Sequence, residues 1–233
     1  QLWPSLERGM ASHYVGQVSR DSVRLLETGV APAEIMAAGV RTTAAKSQWG
    51  IDHALAMATD CLALAEIRHG TERALPLVQG LAGLAETTRD RPTRQVPDPD
   101  ASIDIATAIE SEDAMGAMAG VLGAIHAGVD RDTIRHKLID AASAHHLSYG
   151  HGMIYTQKTF EFLDRFGWDD APEILPHLAA SLVWSTREDT LPYMTKAMRR
   201  LATVDLEAVA ATTGDSGWDP EPLVELFLNA TDA

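Results

Sequence analysis

The chain of 233 residues repeats itself with an offset of about 98 to 100 residues. Each copy begins with a Gly-Val turn, continues through helical segments and a Gly-containing turn, and ends in a helix that a Leu-Pro pair introduces. Such a repeat places equivalent residues around a pseudo-two-fold axis, and ligand sites are often built between two half-bundles. The overlay pairs His53 with His151, and Asp60 with Lys158. The seam between the two halves is therefore the first place to look for a functional site.

The spacing of the apolar residues predicts an all-α fold. Apolar side chains recur every three or four residues, and β-branched residues do not gather in alternating runs, so we expect at least ten helices and no strand. A proline-rich charged segment at about 91–100 separates the repeats. We expect one all-α domain over 1–233, a single helical bundle of two pseudo-symmetric four-helix repeats with a helical appendage. Its parts are repeat one at about 17–90, repeat two at about 112–192 and C-terminal helices at about 193–233, which end in Leu223, Leu226 and Phe227.

Composition excludes several classes of function. A formal net charge of -14 disfavours nucleic acid and an anionic membrane surface as partners, because both require a basic stripe. No run of eighteen apolar residues predicts a membrane span, and no signal peptide is visible at the start. The single cysteine, Cys61, allows no intrachain disulfide and suits a reducing, cytoplasmic setting. We therefore expect a small-molecule substrate or a protein partner, and the apolar helices are compatible with a homodimer.

A histidine-rich segment at 144–158 is the strongest candidate for chemistry. It holds His145, His146 and His151, which are three of the nine histidines, together with glycines and hydroxyl-bearing side chains. Imidazole is a good ligand for divalent transition metals, and the helices of a bundle can converge several ligands on one ion. We expect His145 and His146 to close one helix and His151 to lie on the next.

The remaining histidines divide into two groups. His53 is the repeat mate of His151 and is expected to face the same cavity, although a lone histidine there would usually be a hydrogen-bonded core residue. His126 ends a predicted helix, where an imidazolium would also favour the helix C terminus. The other four are predicted to lie on the surface or in turns: His13, His69, His136 and His177.

Lys158 has two interpretations. It follows His151 by two helical turns in a largely apolar stretch, so it is either a surface lysine with an extended aliphatic stem or a buried lysine with a depressed pKa. The second form could be carboxylated by carbon dioxide and become a metal ligand. The zinc-protease pattern and the paired Glu-x-x-His motifs of di-iron bundles are absent from the sequence.

The run from His145 to Gly152, followed by Lys158 to Pro176, resembles a segment of an all-helical bacterial family that is often described through an attached Rieske-type domain. It is also similar to questin-oxidase-like oxygenases of aromatic polyketide pathways. This resemblance covers about 30–195 and is specific over 140–180. It implies a mononuclear non-haem iron whose transferable ligands are His145 or His146, His151 and Lys158, and a separate electron-transfer partner. The further histidine pair expected around 77–84 is missing, so His53 and His126 would have to complete the set.

Three hypotheses follow. The first is an iron-dependent oxygenase or related oxidoreductase that acts on a small apolar or aromatic substrate. Its metal ligands would be His53, His146, His151 and Lys158, with His145 and His126 as alternates. In it Tyr149 and Tyr155 orient the substrate or supply a proton. The second is a metal-free cyclase or isomerase with His146 or His151 as general base. The third is a non-catalytic ligand-binding or partner-docking protein. The expected pocket walls are Trp49, Met57, Met153 and Phe162.

Overall fold

The protein is all-α, as the apolar spacing predicts. The computed structural model describes residues 1–211, 219, 221–222 and 224–225. The α-helices of these residues are α1 (Leu2–Ala11), α2 (Val15–Glu27), α3 (Pro32–Thr43), α4 (His53–Glu66), α5 (Ala74–Thr87), α6 (Ile105–Glu110), α7 (Ala114–His126), α8 (Arg131–Ser143), α9 (His151–Phe166), α10 (Ala171–Trp184), α11 (Thr195–Leu201) and α12 (Leu206–Ala211). The β-pairing within them is one isolated bridge between Leu147 and Arg187. None of the described helices is long and apolar enough to cross a bilayer.

The chain divides into two compact units, Gln1–Asp189 and Thr190–Ala233. The first unit holds α1–α10, and with them the predicted repeats except the last residues of repeat two, and the second unit holds α11 and α12. The tandem repeat and the single domain over the whole chain stay predictions. The three residues expected to end the last helix, Leu223, Leu226 and Phe227, lie outside the described residues.

Helices α4 and α9 lie side by side and run in the same direction. Three side-chain contacts join them, and these come in the same order along both helices: His53 with His151, Asp60 with Lys158, and Glu66 with Arg165. The first two are the pairs that the sequence overlay matches. Because equivalent ends lie together, the two histidines at the helix starts meet at one end of the seam.

Apolar side chains of both helices build the core beneath this seam. Leu55 and Leu62 of α4 and Phe162 and Leu163 of α9 are almost completely buried, within a cluster that extends across the first unit. Phe162 has no exposed surface, so the prediction that it lines a pocket is wrong. Phe162 lies eleven residues, or about three turns, after His151 and therefore on nearly the same side of α9, so the helical spacing alone does not account for its burial.

The proline-rich segment at 91–100 has no regular secondary structure, but it is anchored by hydrogen bonds. Arg94 donates its backbone N–H to the carbonyl of Ala45 at 2.7 Å, and its Nη2 donates to the carbonyls of Ser47 and Gln48. Its Nη1 lies 3.0 Å from Nδ1 of His177. One guanidinium thus holds the linker against the loop that precedes α4.

His177 is the clearest correction to the sequence-based expectations. We expected a surface or turn residue, but His177 lies inside α10 and is 2% exposed. Burial, with the nearby positive charge of Arg94 as the second cause, lowers its pKa to about 4. A polar residue in an apolar helix can face the solvent or the core. For His177 the packing of the loop before α4 on α10 decides between the two.

Candidate functional site

The N-terminal ends of α4 and α9 bring two imidazole rings together. The Nε2 atoms of His53 and His151 are 3.0 Å apart, and the ring centroids are separated by 4.8 Å. The hydroxyl of Tyr155 lies 3.0 Å from Nδ1 of His53, and Nδ1 of His151 contacts the backbone carbonyl of Ser148. His53 is exposed, while His151 and Tyr155 are half-buried. Every ring nitrogen of the pair therefore has a partner, and the group remains open to solvent.

The chemistry of the partners determines where the protons lie when both rings are neutral. A carbonyl oxygen only accepts, so His151 carries its proton on Nδ1 and its Nε2 is an acceptor. His53 must then donate from Nε2, which leaves its Nδ1 to accept from the Tyr155 hydroxyl. The result is a chain in which each group donates to the next, from Tyr155 through His53 and His151 to Ser148.

Helix capping fixes the position of His53. Asp52 is the N-cap of α4 and accepts the backbone N–H groups of Ala54 and Leu55 at 3.0 and 3.2 Å. Its other oxygen accepts the hydroxyls of Ser47 and Thr87 at 2.7 and 2.5 Å. A capping aspartate held in this way sets the first residue of α4, which is His53.

A strained turn fixes the position of His151. Ser148, Tyr149 and Gly150 have φ angles of 45°, 56° and 89°, three consecutive residues in the left-handed region, and α9 begins directly after them. Left-handed backbone costs about 1–2 kcal/mol for a residue with a side chain, and such strain is often kept at functional sites. The turn is tied down by Thr186, whose carbonyl accepts the Ser148 N–H at 2.7 Å and whose N–H donates to Ser148 Oγ at 2.9 Å.

Burial, more than charge, keeps the Tyr155 hydroxyl protonated. Burial, and second the negative charge of Asp52, raise the pKa of Tyr155 to about 12. A free tyrosinate is therefore disfavoured at neutral pH. Tyr155 can still pass a proton on when it receives another in the same step.

His145 belongs to a separate charged cluster. Its Nε2 is 2.8 Å from Glu110, and its Nδ1 is 3.0 Å from Asp189 and 2.8 Å from Nη2 of Arg187. The hydrogen bond from His145 lowers the pKa of Glu110. Burial alone would raise the pKa of Asp189, but hydrogen bonds from Arg187 and His145 outweigh it and the net shift is downward. The positive charge of Arg187 beside Nδ1 of His145 disfavours a metal ion at that nitrogen.

Lys158 is held by an ion-pair network two turns along the seam. Its Nζ lies 2.7 Å from Asp60 and 2.8 Å from Glu161. Hydrogen bonds to these two carboxylates raise the pKa of Lys158. This direction is opposite to the depressed pKa that carboxylation by carbon dioxide requires, so the structure favours the first of the two interpretations of Lys158.

The other predicted site residues do not share in the contact between His53 and His151. His145 and His146 lie in the turn between α8 and α9 rather than at the end of α8, and His146 is exposed. Tyr149 is 68% exposed in the strained turn, and His126 is the last residue of α7, as predicted. Of the six expected metal ligands, two have side chains in contact with each other, and these are His53 and His151.

Sequence reasoning did not single out Asp52, Ser148 or Arg94. The N-cap role of Asp52 had a recognisable signal, an aspartate directly before a helical segment. The roles of Ser148 and Arg94 depend on backbone carbonyls, which no residue pattern reports.

Comparison with protein-family models, curated proteins and solved structures gives no match. The geometry of the seam is therefore the basis on which a function can be argued.

The iron implied by the family resemblance can be tested against the donors present. Across residues 1–211 and the few described positions beyond them, no group of three or more His, Cys, Asp or Glu side chains could hold a metal ion. A mononuclear iron site with two histidines usually adds a carboxylate as third protein ligand. The described residues do not supply that set.

Proposed function

We propose that the seam between α4 and α9 is an acid–base site that moves a proton on a small substrate, in a reaction such as isomerisation or cyclisation. The supporting observation is the continuous chain of hydrogen bonds from Tyr155 through His53 and His151 to Ser148. Of these groups, Tyr155 is the one whose oxygen keeps an acceptor site for a substrate, so it makes the contact.

The proton balance of such a site is simple. A substrate C–H or O–H gives its proton to the Tyr155 oxygen, while the hydroxyl proton of Tyr155 passes to Nδ1 of His53. The Nε2 proton of His53 can then move to Nε2 of His151, so the added positive charge is shared by two rings. Return of the proton to another atom of the substrate completes an isomerisation. Free tyrosinate never forms, in agreement with the raised pKa of Tyr155.

This proposal predicts proton exchange that depends on Tyr155. In D2O, the protein is expected to catalyse deuterium incorporation into at least one member of a panel of small carbonyl compounds with acidic C–H bonds, measured by mass spectrometry. Tyr155→Phe and His53→Gln are each expected to lower the exchange rate by about 100-fold or more, since positioned acid–base groups contribute that much.

A matched control is Tyr14→Phe, which removes the hydroxyl of a tyrosine that is 65% exposed at the start of α2. Its exchange rate should equal that of the unaltered protein. Equal rates in all variants, or no exchange with any compound of the panel, would contradict an acid–base role.

The second candidate is the metal-dependent oxygenase. One observation favours it: the two Nε2 atoms converge while each Nδ1 has an outer partner, and metal-ligating histidines are oriented in this way. It requires a third ligand beyond the groups that the described residues provide.

Elemental analysis of the purified protein and of His151→Ala separates the candidates. About one iron per chain in the first and none in the variant favours the oxygenase. Deuterium exchange that survives chelation favours the acid–base site.

A further inference from the structure

The second unit, Thr190–Ala233, carries a cationic groove that the seam does not explain. The groove has a volume of about 410 Å³ and is lined by Pro192, Tyr193, Thr195, Lys196, Arg199, Arg200 and Thr203. We refer to it as the α11 groove. Three of its lining side chains are cations, and three carry hydroxyl groups.

The charge of this segment is opposite to that of the protein. Residues 190–204 contain Lys196, Arg199 and Arg200 and no acidic residue, in a chain whose formal net charge is -14. All three cations are exposed. Within the described part of the chain none of them forms a salt bridge, whereas Arg41, Lys158 and many other cations do.

The spacing places the three charges on one face of α11. Arg199 and Arg200 follow Lys196 at i+3 and i+4, which are neighbouring positions on a helix surface. Like charges at these positions destabilise a helix, and a bound anion would remove that repulsion. The clustering is thus unfavourable by itself and becomes favourable with an anionic ligand.

We propose that the α11 groove binds a phosphate-bearing small molecule. Arginine presents a planar fork of N–H donors that matches phosphate oxygens, and lysine adds a compact charge. The hydroxyl of Thr195 and the ring of Tyr193, which is 57% exposed, complete the lining, while the hydroxyl of Thr203 donates to the carbonyl of Arg200 at 2.7 Å. The phosphate belongs either to free pyrophosphate or to an organic molecule that carries phosphate groups. The argument does not depend on the function proposed for the seam.

Isothermal titration calorimetry at low ionic strength tests this site, with inorganic pyrophosphate and ADP as separate probes. We expect saturable binding with one site per chain. Arg199→Glu should weaken it by about tenfold or more, because a charge-assisted hydrogen bond is lost and a repulsion is added. Tighter binding of ADP than of pyrophosphate assigns an organic phosphate, and equal or weaker binding of ADP assigns free pyrophosphate.

Arg91→Glu is the matched control, since it makes the same change in net charge at an exposed residue outside the groove. It should leave both affinities within about twofold of the unaltered protein. Arg199→Lys keeps the charge and removes the fork, and an intermediate affinity is expected. The proposal is overturned if neither probe binds, or if Arg91→Glu weakens binding as much as Arg199→Glu does. Circular dichroism of each variant confirms that the helices are retained.

Discussion

Replacement of Gly50 by alanine is expected to lower the free energy of unfolding by about 3 kcal/mol or more. Gly50 has a φ of +85°, and a Cβ added there would lie 2.2 Å from the backbone oxygen of His177 and 2.8 Å from the backbone nitrogen of Ser181. Backbone atoms of a packed helix cannot give way as a flexible side chain does. The loop before α4 would have to move away from α10. Thermal denaturation should show a midpoint lowered by about 10 °C for a unit of this size.

Gly29→Ala provides the comparison. Gly29 has nearly the same φ, +89°, but an added Cβ meets no atom within 4 Å. The left-handed backbone conformation is then the only source of destabilisation, so the free energy of unfolding is expected to fall by about 1 kcal/mol. Equal losses in the two variants would mean that the loop is not packed against α10 as described.

His177 is expected to make the protein less stable in mild acid. Its pKa is about 4 in the folded protein, against an ordinary value of 6.5. Between these pH values the unfolded chain binds the proton and the folded chain does not, so the free energy of unfolding falls as the pH is lowered from 6.5 toward 4. The contribution of this residue should fall by about 2 kcal/mol between pH 7 and pH 5.

The measurement is urea denaturation of the unaltered protein and of His177→Gln at both pH values. Glutamine cannot take up a proton in this range, and its side-chain carbonyl can still accept a hydrogen bond from Arg94. The other titrating groups act alike in both proteins, so the variant should lose about 2 kcal/mol less on acidification. If the two proteins lose the same amount, the His177 side chain is not buried in the folded state.

The two predictions concern one structural element, the loop at 44–52 that ends at Asp52. It is held against α10 through Gly50 and His177, and against the linker through Arg94. The same loop delivers the capping aspartate that sets His53 at the start of α4. Disturbance of this loop is therefore expected to affect the seam as well as the stability of the first unit.

Some features of this protein followed from the sequence alone. The three- and four-residue spacing of apolar side chains predicted an all-α fold, because a helix can bury a continuous stripe only with that period. The overlay of the two chain segments matched His53 with His151 and Asp60 with Lys158, and these pairs are in contact. Equivalent residues of two similar halves can meet where a symmetry axis passes between the halves. A regular offset in the sequence is therefore enough to suggest such contacts.

The tertiary structure decided what each of these residues does. Lys158 forms ion pairs, His145 joins a charged cluster, Phe162 is in the core, and His177 is buried. Each outcome depends on which side of a helix faces a neighbouring segment, and a residue pattern does not contain the neighbour. The protonation pattern of the two histidines likewise depends on one backbone carbonyl, that of Ser148, whose direction is set by a strained turn and by Thr186. Periodicity is a local property that the sequence carries by itself, whereas burial and hydrogen bonding arise between segments far apart in the chain.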